Sequence, residues 1–486
     1  MWPTYLSYDR GTLLVRGEAK VPYSTWDDRV RAFRAQALYY REIVDFLKKS
    51  ELGEVKDGVE DLPPCPDLRF KGKLRVYQRK ALDSWDRAGR RGVIVLPTGA
   101  GKTVIGMKAI EMVNRPAVVV VPTLDLLEQW RRRASEDLGV EVGVYGGGEN
   151  TLKAVTVATY DSAFLRAAEL GNRFSLLIFD EVHHLPAESF RQIAEMFTAP
   201  YRMGLTATYE RDDMLHLELP RLIGGVVYRL DPEDLAGRYL SDYTVERVNV
   251  ELTDREKEDY RRDYRQFTDY LEKNRIWMRT PMDFQRFIMR TSRDPEARKA
   301  LLARNRAVKV AFDSEAKLDR LEEILRENPD ERVLVFTQHN DLVYRISKRF
   351  LLPFITHTTA KEERYEVLKG FREGRFRAVA TSKVLDEGID VPEASIGVIV
   401  SGTGSSREFI QRLGRLLRKS EGKERARLIE LVSRETSETR TSSRRKRAAK
   451  RGMGKKKEAG AGEEEEQGAE EPVVSKGADE GELFEE

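Results

Sequence analysis

The stretch Leu96–Val104, read as LPTGAGKTV, carries the plainest chemistry in the chain. Gly99, Ala100 and Gly101 have little or no side chain, so their backbone N–H groups can close around phosphate oxygens at a helix N-terminus. Lys102 is spaced to reach the β- and γ-phosphates of a nucleoside triphosphate, and the Thr103 hydroxyl to ligate Mg²⁺. Leu96 stands five residues before Gly101, where the longer P-loop pattern has glycine. The motif is therefore the shorter P-T-G-x-G-K-T form, with Thr98 in its second place.

Four further groups complete a nucleotide chemistry. Asp180-Glu181-Val182-His183-His184 follows an apolar run, Leu176–Phe179. An Asp at the end of a buried strand can hold Mg²⁺ through water, and the adjacent Glu181 can deprotonate an attacking water. His183 and His184 invite a zinc reading, but neighbouring side chains are expected to point apart and no His or Cys cluster lies nearby. Thr206-Ala207-Thr208 offers short hydroxyls suited to relaying phosphate state. Gln78 precedes the P-loop and can read an adenine edge, its amide being donor and acceptor together. Gln411, Arg415 and Arg418 are spaced by four and three, so one helix face presents all three as candidate arginine fingers with a coupling amide.

These groups need a scaffold of strand ends. From Gly92 to Leu230 the pattern repeats strand, loop and helix, with apolar runs at Val93–Leu96, Ala117–Val121, Val155–Ala158, Leu176–Phe179 and Met203–Leu205. Such runs predict a parallel sheet covered on both faces, with ligands at the carboxyl ends of the strands. A second alternating unit has strands at Val333–Thr337, Phe354–Thr356, Ala378–Thr381, Ile396–Val400 and Arg427–Val432, and no P-loop. The fold class is α/β.

The flanks read differently. Tyr5–Arg16 predicts a hairpin turning at Asp9-Arg10-Gly11. Trp26 to Leu47 reads as an amphipathic helix bearing Arg29, Arg31, Arg34 and Arg41, either solvated or facing DNA. Pro63, Pro64 and Pro66 mark a linker. Lys73 to Ala88 predicts a helix. Residues 231–310 read as a helical insertion, with helices over Asp254–Trp277 and near Pro281–Met289 and aromatics read as core packing. Beyond about 434 the chain is basic (Arg444–Lys457), then acidic (Glu458–Glu486), with Leu483-Phe484 as hydrophobic anchors. Neither run can bury enough apolar surface to fold, so a disordered tail is expected.

At 486 residues the chain is too long for one core. Charged residues make up 34% while Asn and Gln are scarce, a balance that leans towards a thermophilic source. A net charge of +3 gives no uniform basic field, so a nucleic-acid site must be a local groove. Cys65 is the single cysteine, which excludes intramolecular disulfides and cysteine-based zinc clusters. No run approaches a membrane span and no signal-peptide pattern opens the chain, so the expectation is a cytoplasmic, nucleoid-associated protein without a membrane partner.

Together Gln78, PTGAGKT, DEVHH, TAT, Val333–Gln338 (VLVFTQ), Asp386–Pro392 (DEGIDVP) and Gln411–Arg418 (QRLGRLLR) resemble a superfamily 2 helicase. The closer resemblance is to the xeroderma pigmentosum group B (XPB) family in its compact archaeal form. The DEVH wording, GLTATYERDD (Gly204–Asp213) against that family's G-L-T-A-T-x-x-R-E-D, and QRLGRLLR carry it. The likeness covers about 70–435 with specific motifs and 1–65 by length and placement. One departure stands out: Arg-Glu-Asp appears here as Arg211-Asp212-Asp213, with charge kept and reach shortened by one methylene.

The resemblance implies two RecA-like lobes, at 66–230 and 311–435, with ATP and Mg²⁺ between them. It also implies a damage-recognition-like module at 1–65, a thumb-like insertion at 231–310 and a tail at 436–486. Nucleotide contacts then fall on Arg75, Gln78, Thr98, Gly99, Ala100, Gly101, Lys102, Thr103, Gly388 and Asp390, with Mg²⁺ on Thr103 and Asp180. Catalysis falls on Lys102, Asp180, Glu181, Gln411, Arg415 and Arg418, and coupling on His183, Thr206 and Thr208. Thr159 and Thr381 become candidate strand contacts, and Arg211-Asp212-Asp213 a strand-parting element separable from the motor. The implied activity is ATP-driven, 3′ to 5′, on forked, bubble or single-stranded DNA in nucleotide excision repair, beside a nuclease partner. An ATP-gated clamp that positions a nuclease, and an RNA helicase, remain as alternatives.

Overall fold

The structure, a computed structural model, describes residues 3–17, 20–50, 54–211, 213–235, 242–278, 280–382, 394–401 and 425–439. These fall into two compact units that change over near residue 244.

The first unit opens with β1 (Thr4–Asp9), β2 (Thr12–Arg16), β3 (Ser24–Asp27), β4 (Ala32–Gln36), α1 (Tyr40–Lys49) and β5 (Val55–Gly58). They build a sheet of order β3-β4-β2-β1-β5, with α1 packed on it through Tyr40, Ile43 and Leu47. The expected hairpin is present and turns at Arg10 and Gly11, both with positive φ. The helix expected over Trp26–Leu47 is not. Its first half is the β3–β4 hairpin, turned at Arg31 with φ 48°, and helix begins only at Tyr40. Val30, Phe33 and Ala37 fit helical spacing, but Phe33 pairs across strands with Trp26 and Val15, a long-range pairing that overrides local periodicity. Arg29 and Arg34 pair with Asp27, and Arg41 donates to the Gly89 carbonyl, so no continuous arginine face forms.

The lobe that follows comprises α2 (Val76–Arg87), β6 (Arg91–Val95), α3 (Lys102–Val113), β7 (Ala117–Val121), α4 (Leu124–Leu138), β8 (Val142–Gly146), β9 (Glu149–Thr151), β10 (Val155–Thr159), α5 (Tyr160–Leu165) and α6 (Ala167–Leu170). It continues with β11 (Leu176–Asp180), α7 (Arg191–Met196), β12 (Tyr201–Thr206), α8 (Leu219–Leu222), β13 (Val226–Arg229) and α9 (Pro232–Leu235). The sheet order is β13-β6-β12-β11-β7-β10-β8-β9, parallel throughout except for β9. All five expected strands are present. The crossovers bring β6, β12 and β11 side by side, so the P-loop, TAT and DEVHH leave adjacent carboxyl ends. Arg202 is fully buried in β12 and donates to the carbonyls of Ala194, Phe197, Ala199 and Leu222, tying the loops around α7 and α8 to the sheet.

The N-terminal sheet docks on this lobe. The Tyr8 hydroxyl lies 3.2–3.3 Å from the carbonyls of Ala167, Ala168 and Met196, and Glu42 accepts from Arg91 at 2.5 Å. Burial against the lobe pushes the Tyr8 phenol up to about 12.

The second unit begins with β14 (Asp242–Val250), α10 (Asp254–Lys273), α11 (Pro281–Arg290), α12 (Pro295–Phe312) and α13 (Glu315–Glu327). Then come β15 (Val333–Phe336), α14 (Asn340–Phe350), β16 (Phe354–Ile355), α15 (Lys361–Arg372), β17 (Ala378–Thr381), β18 (Ile396–Ile399) and β19 (Arg425–Ser433). The sheet order is β14-β19-β18-β15-β17-β16. β14 lies inside the stretch expected to be helical and separates the short α9 from the long helices, which span 254–312. Val248 and Val250 alternate with Arg247 and Asn249, the pattern of a half-buried strand. In the helices Tyr260, Phe267, Tyr270 and Phe287 are buried against the alanine face of α12.

No helix among the described residues is long and apolar enough to cross a membrane.

Candidate functional site

The P-loop joins β6 to α3. Gly101 caps α3 in the left-handed region, φ 77° and ψ 44°, and a Cβ there would stand 2.6 Å from Gln78 Nε2. Both conditions demand glycine. Lys102 opens the helix with Nζ 3.4 Å from the Leu96 carbonyl and 3.9 Å from Glu181 Oε1. Thr103 follows in the first turn. Gln78 is buried, and both ends of its amide are engaged. Oε1 accepts from the Arg75 N–H at 2.8 Å and Nε2 donates to the Ala100 carbonyl at 3.1 Å, while the Tyr77 hydroxyl reaches the same carbonyl at 2.6 Å. In this geometry Gln78 braces the P-loop and its amide edge is not open to a base. Arg75 is exposed and lies 3.3 Å from the Tyr77 hydroxyl.

Asp180 ends β11 and is buried. Its Oδ1 accepts from the Glu181 N–H at 3.0 Å and its Oδ2 from the Trp130 indole at 2.7 Å. Burial first, then the neighbouring Glu181, pushes its carboxyl up to about 6, while Lys102 and Trp130 pull the other way. Glu181 sits in the left-handed region at φ 48°, strain on the order of 1–3 kcal/mol that the strand and the following turn must hold. The next residues form a single 3-10 turn, Val182–His184. His183 turns inward, Nδ1 3.1 Å from Thr206 Oγ1, and that oxygen is 3.4 Å from Glu181 Oε2. Thr206 Oγ1 also donates to the Thr208 carbonyl at 2.7 Å. Glu181, His183, Thr206 and Thr208 are thus one network. The two histidines do not point apart as expected. Their ring centroids are 4.3 Å from each other, because the tight turn sets them on one side.

The site fits a triphosphate and its metal. Thr98 Oγ1 and Thr208 Oγ1 are buried without a hydrogen-bond partner, two hydroxyls left for a ligand to satisfy. The carboxylates, the lysine and the glycine cradle supply the donor set such a group needs.

Arg211 meets this network from outside. Its Nη1 donates to the His183 carbonyl at 2.5 Å, and its other nitrogens pair with Asp213. That pairing holds the Asp213 carboxyl down at about 2. The element expected to stand apart from the motor is therefore bonded to it, because β11 and β12 are neighbours and their loops emerge together.

Thr159 and Thr381, expected to face a nucleic-acid strand, turn inward. The Thr159 hydroxyl caps α5, accepting from Ser162 N at 3.2 Å and donating to Ser162 Oγ at 2.9 Å. Thr381 is fully buried, its hydroxyl on the Ser382 carbonyl at 3.0 Å. Each ends a strand where the polar side chain satisfies the next turn. Asp212, Gly388, Asp390, Gln411, Arg415 and Arg418 lie outside the described residues, as does the tail beyond Thr439. Sequence reading did not find Trp130 or Tyr160, whose hydroxyl is 3.2 Å from the Asp180 carbonyl. Both are aromatics in helices that read as core, with no local signal of their target.

A parallel sheet with a P-loop, an Asp-Glu pair two strands away and the Thr206 and Thr208 hydroxyls leaving the strand between them defines a P-loop ATPase of the superfamily 2 helicase class. Family models match in three pieces: the XPB helicase damage recognition domain over residues 6–59, the type III restriction enzyme res subunit over 71–211 and the ERCC3/RAD25/XPB C-terminal helicase over 276–451. The chain is 43% identical to the DNA 3′-5′ translocase XPB2 of Sulfurisphaera tokodaii, over 91% of this chain and 99% of that one. It is 30% identical to the DNA 3′-5′ helicase XPB of Mycobacterium tuberculosis, over 79% of this chain and 65% of the relative. In fold it is similar to the Hef helicase domain of Pyrococcus furiosus, with a TM-score of 0.51 and 19% identity over 76% of this chain and 97% of that one. The chain belongs to the XPB family of ATP-dependent DNA helicases.

Proposed function

We propose that this protein is an ATP-driven motor that moves 3′ to 5′ along one strand of DNA at forks, bubbles or single-stranded gaps. Its place is nucleotide excision repair in the cytoplasm, at the nucleoid, with a structure-specific nuclease as protein partner. The observation that carries the motor reading is the network joining Glu181 to Thr206 and His183 beside Lys102. The DNA substrate and the direction rest on likeness to the Sulfurisphaera translocase.

Bound Mg²⁺–ATP would supply the transferable phosphoryl group and neutralise charge on it. The main chain of Gly99, Ala100 and Gly101, with Thr98 and Lys102, would hold phosphates, and Thr103 and Asp180 the metal. Glu181 would orient water and take its proton. His183, Thr206 and Thr208 would pass the state of the site to the loop that carries Arg211. Arg415 and Arg418 would offset developing charge, and Gln411, Gly388 and Asp390 complete their side of the site.

ATPase stimulation by single-stranded DNA against RNA at matched salt tests the substrate. Stimulation by RNA alone would overturn the DNA reading. Displacement of a third strand from duplex DNA with a 3′ or a 5′ entry point tests the direction.

A second reading, a translocase that props DNA for a nuclease with little processive unwinding, is favoured by the name of the Sulfurisphaera relative. Strand displacement on forked DNA with and without the nuclease separates the two.

A further inference from the structure

Trp130 lies outside the motifs and meets the Asp180 carboxylate directly. It lies in the middle of α4, fully buried, and its indole N–H points at Asp180 Oδ2 at 2.7 Å. The ring is clamped against the P-loop helix. A Cβ on Gly106 would come 2.5 Å from the Trp130 ring, so α3 carries a glycine where the indole passes. The other Asp180 oxygen accepts from the Glu181 N–H at 3.0 Å. One donor on each oxygen fixes both the rotamer and the plane of the carboxylate.

We propose that Trp130 is a positioning residue for Asp180: α4 and α3 together aim the carboxylate at the metal through the indole N–H. This rests on the reading of Asp180 as the residue that holds Mg²⁺. The physical reason is that a carboxylate with one outer partner removed samples other orientations, and metal-bound water meets it less often. Outer partners of ligating groups commonly control about ten- to hundredfold in metal affinity or activity. A packing role alone would not need the N–H. Phenylalanine would fill most of the same space, and the indole nitrogen would have no reason to meet a carboxylate oxygen.

The test is Trp130→Phe in the full chain, beside Asp180→Asn and Gly106→Ala. Binding of a fluorescent ADP is measured with and without Mg²⁺, together with the Mg²⁺ dependence of ATPase. For Trp130→Phe we expect metal-free nucleotide affinity within about twofold, and a Mg²⁺ requirement raised roughly tenfold or more. Gly106→Ala, which keeps the indole but displaces it, should move in the same direction. Independently, ¹H–¹⁵N spectra should show one indole signal, lost in Trp130→Phe, that is shifted downfield and slow to exchange. In Asp180→Asn that signal should move upfield. If Trp130→Phe keeps the wild-type Mg²⁺ dependence while Asp180→Asn loses it, the inference fails and the role of Asp180 stands. If Asp180→Asn itself keeps Mg²⁺ dependence, the metal reading of Asp180 fails instead. If Trp130→Phe weakens metal-free and metal-loaded binding equally, Trp130 is a packing residue and the inference is overturned.

Discussion

Arg211 donates to the main-chain carbonyl of His183 at 2.5 Å, and His183 in turn meets Thr206 through its ring. The first residue of the Arg-Asp-Asp element is thus bonded to the turn that follows the proposed catalytic carboxylates, Asp180 and Glu181. The proposed motor and the proposed strand-parting element are joined by this hydrogen bond, which gives a change in that turn a direct route to the loop beyond Thr208.

This relationship alters what substitution should do. From sequence, replacing Arg211, Asp212 and Asp213 together spares ATP hydrolysis and abolishes strand separation. From the structure, Arg211→Ala frees the Val182–His184 turn, and DNA-stimulated ATPase should fall about tenfold, the worth of one charge-assisted hydrogen bond. Asp213→Ala leaves the His183 carbonyl bonded and should keep ATPase within about twofold. Parallel ATPase and forked-duplex assays on the two variants check this.

Lys102→Ala and Glu181→Gln should both abolish turnover and differ in binding. In the proposed role Lys102 would touch phosphates in the ground state, so its loss should weaken nucleotide affinity. Glu181→Gln keeps the shape of the side chain at a strained position, and should bind nucleotide normally while failing to hydrolyse it. Equilibrium binding of a fluorescent nucleotide distinguishes them, and equal severe loss of binding in both would refute the assignment.

Arg415→Ala should lower turnover by roughly a thousandfold or more, the scale of an arginine finger. Circular dichroism should be unchanged. Near-normal ATPase would move the role to Arg418.

Tyr8 gives a pH signature to the docking of the N-terminal sheet. Its phenol is pushed up to about 12 from an ordinary value near 10, so the docked state favours the protonated form. The stability this contributes is complete below about pH 10 and is lost as pH rises through about 12. Tyr8→Phe should cost about 0.5–1.5 kcal/mol at neutral pH. The wild-type advantage over the variant should shrink between pH 10 and 12, as read by urea melts at several pH values.

Much of the ATPase half was legible in the chain. The glycines of the P-loop, the carboxylates after Phe179 and the hydroxyls after Leu205 each sit within one strand–loop unit, so local spacing reveals both the residue and its place. Besides β14, which the helical reading of 231–310 missed, periodicity failed at Trp26–Leu47. There the apolar spacing fits a helix, and cross-strand partners at Val15 and Phe33 decide otherwise.

What composition and spacing determined was the set of strand ends and the chemistry gathered on them, because buried parallel strands and glycine turns are dictated by near neighbours. What only the tertiary structure decided was which side chains meet across elements. Trp130 reaches Asp180 over 50 residues, Arg211 reaches His183 over 28, and Tyr8 reaches Met196 over 188. Gln78 closes on the P-loop instead of standing open, and the Thr159 and Thr381 hydroxyls turn into the protein. Such contacts depend on the order of strands and on the packing of helices over them, and a hydrogen bond between distant residues leaves no periodic trace in either segment.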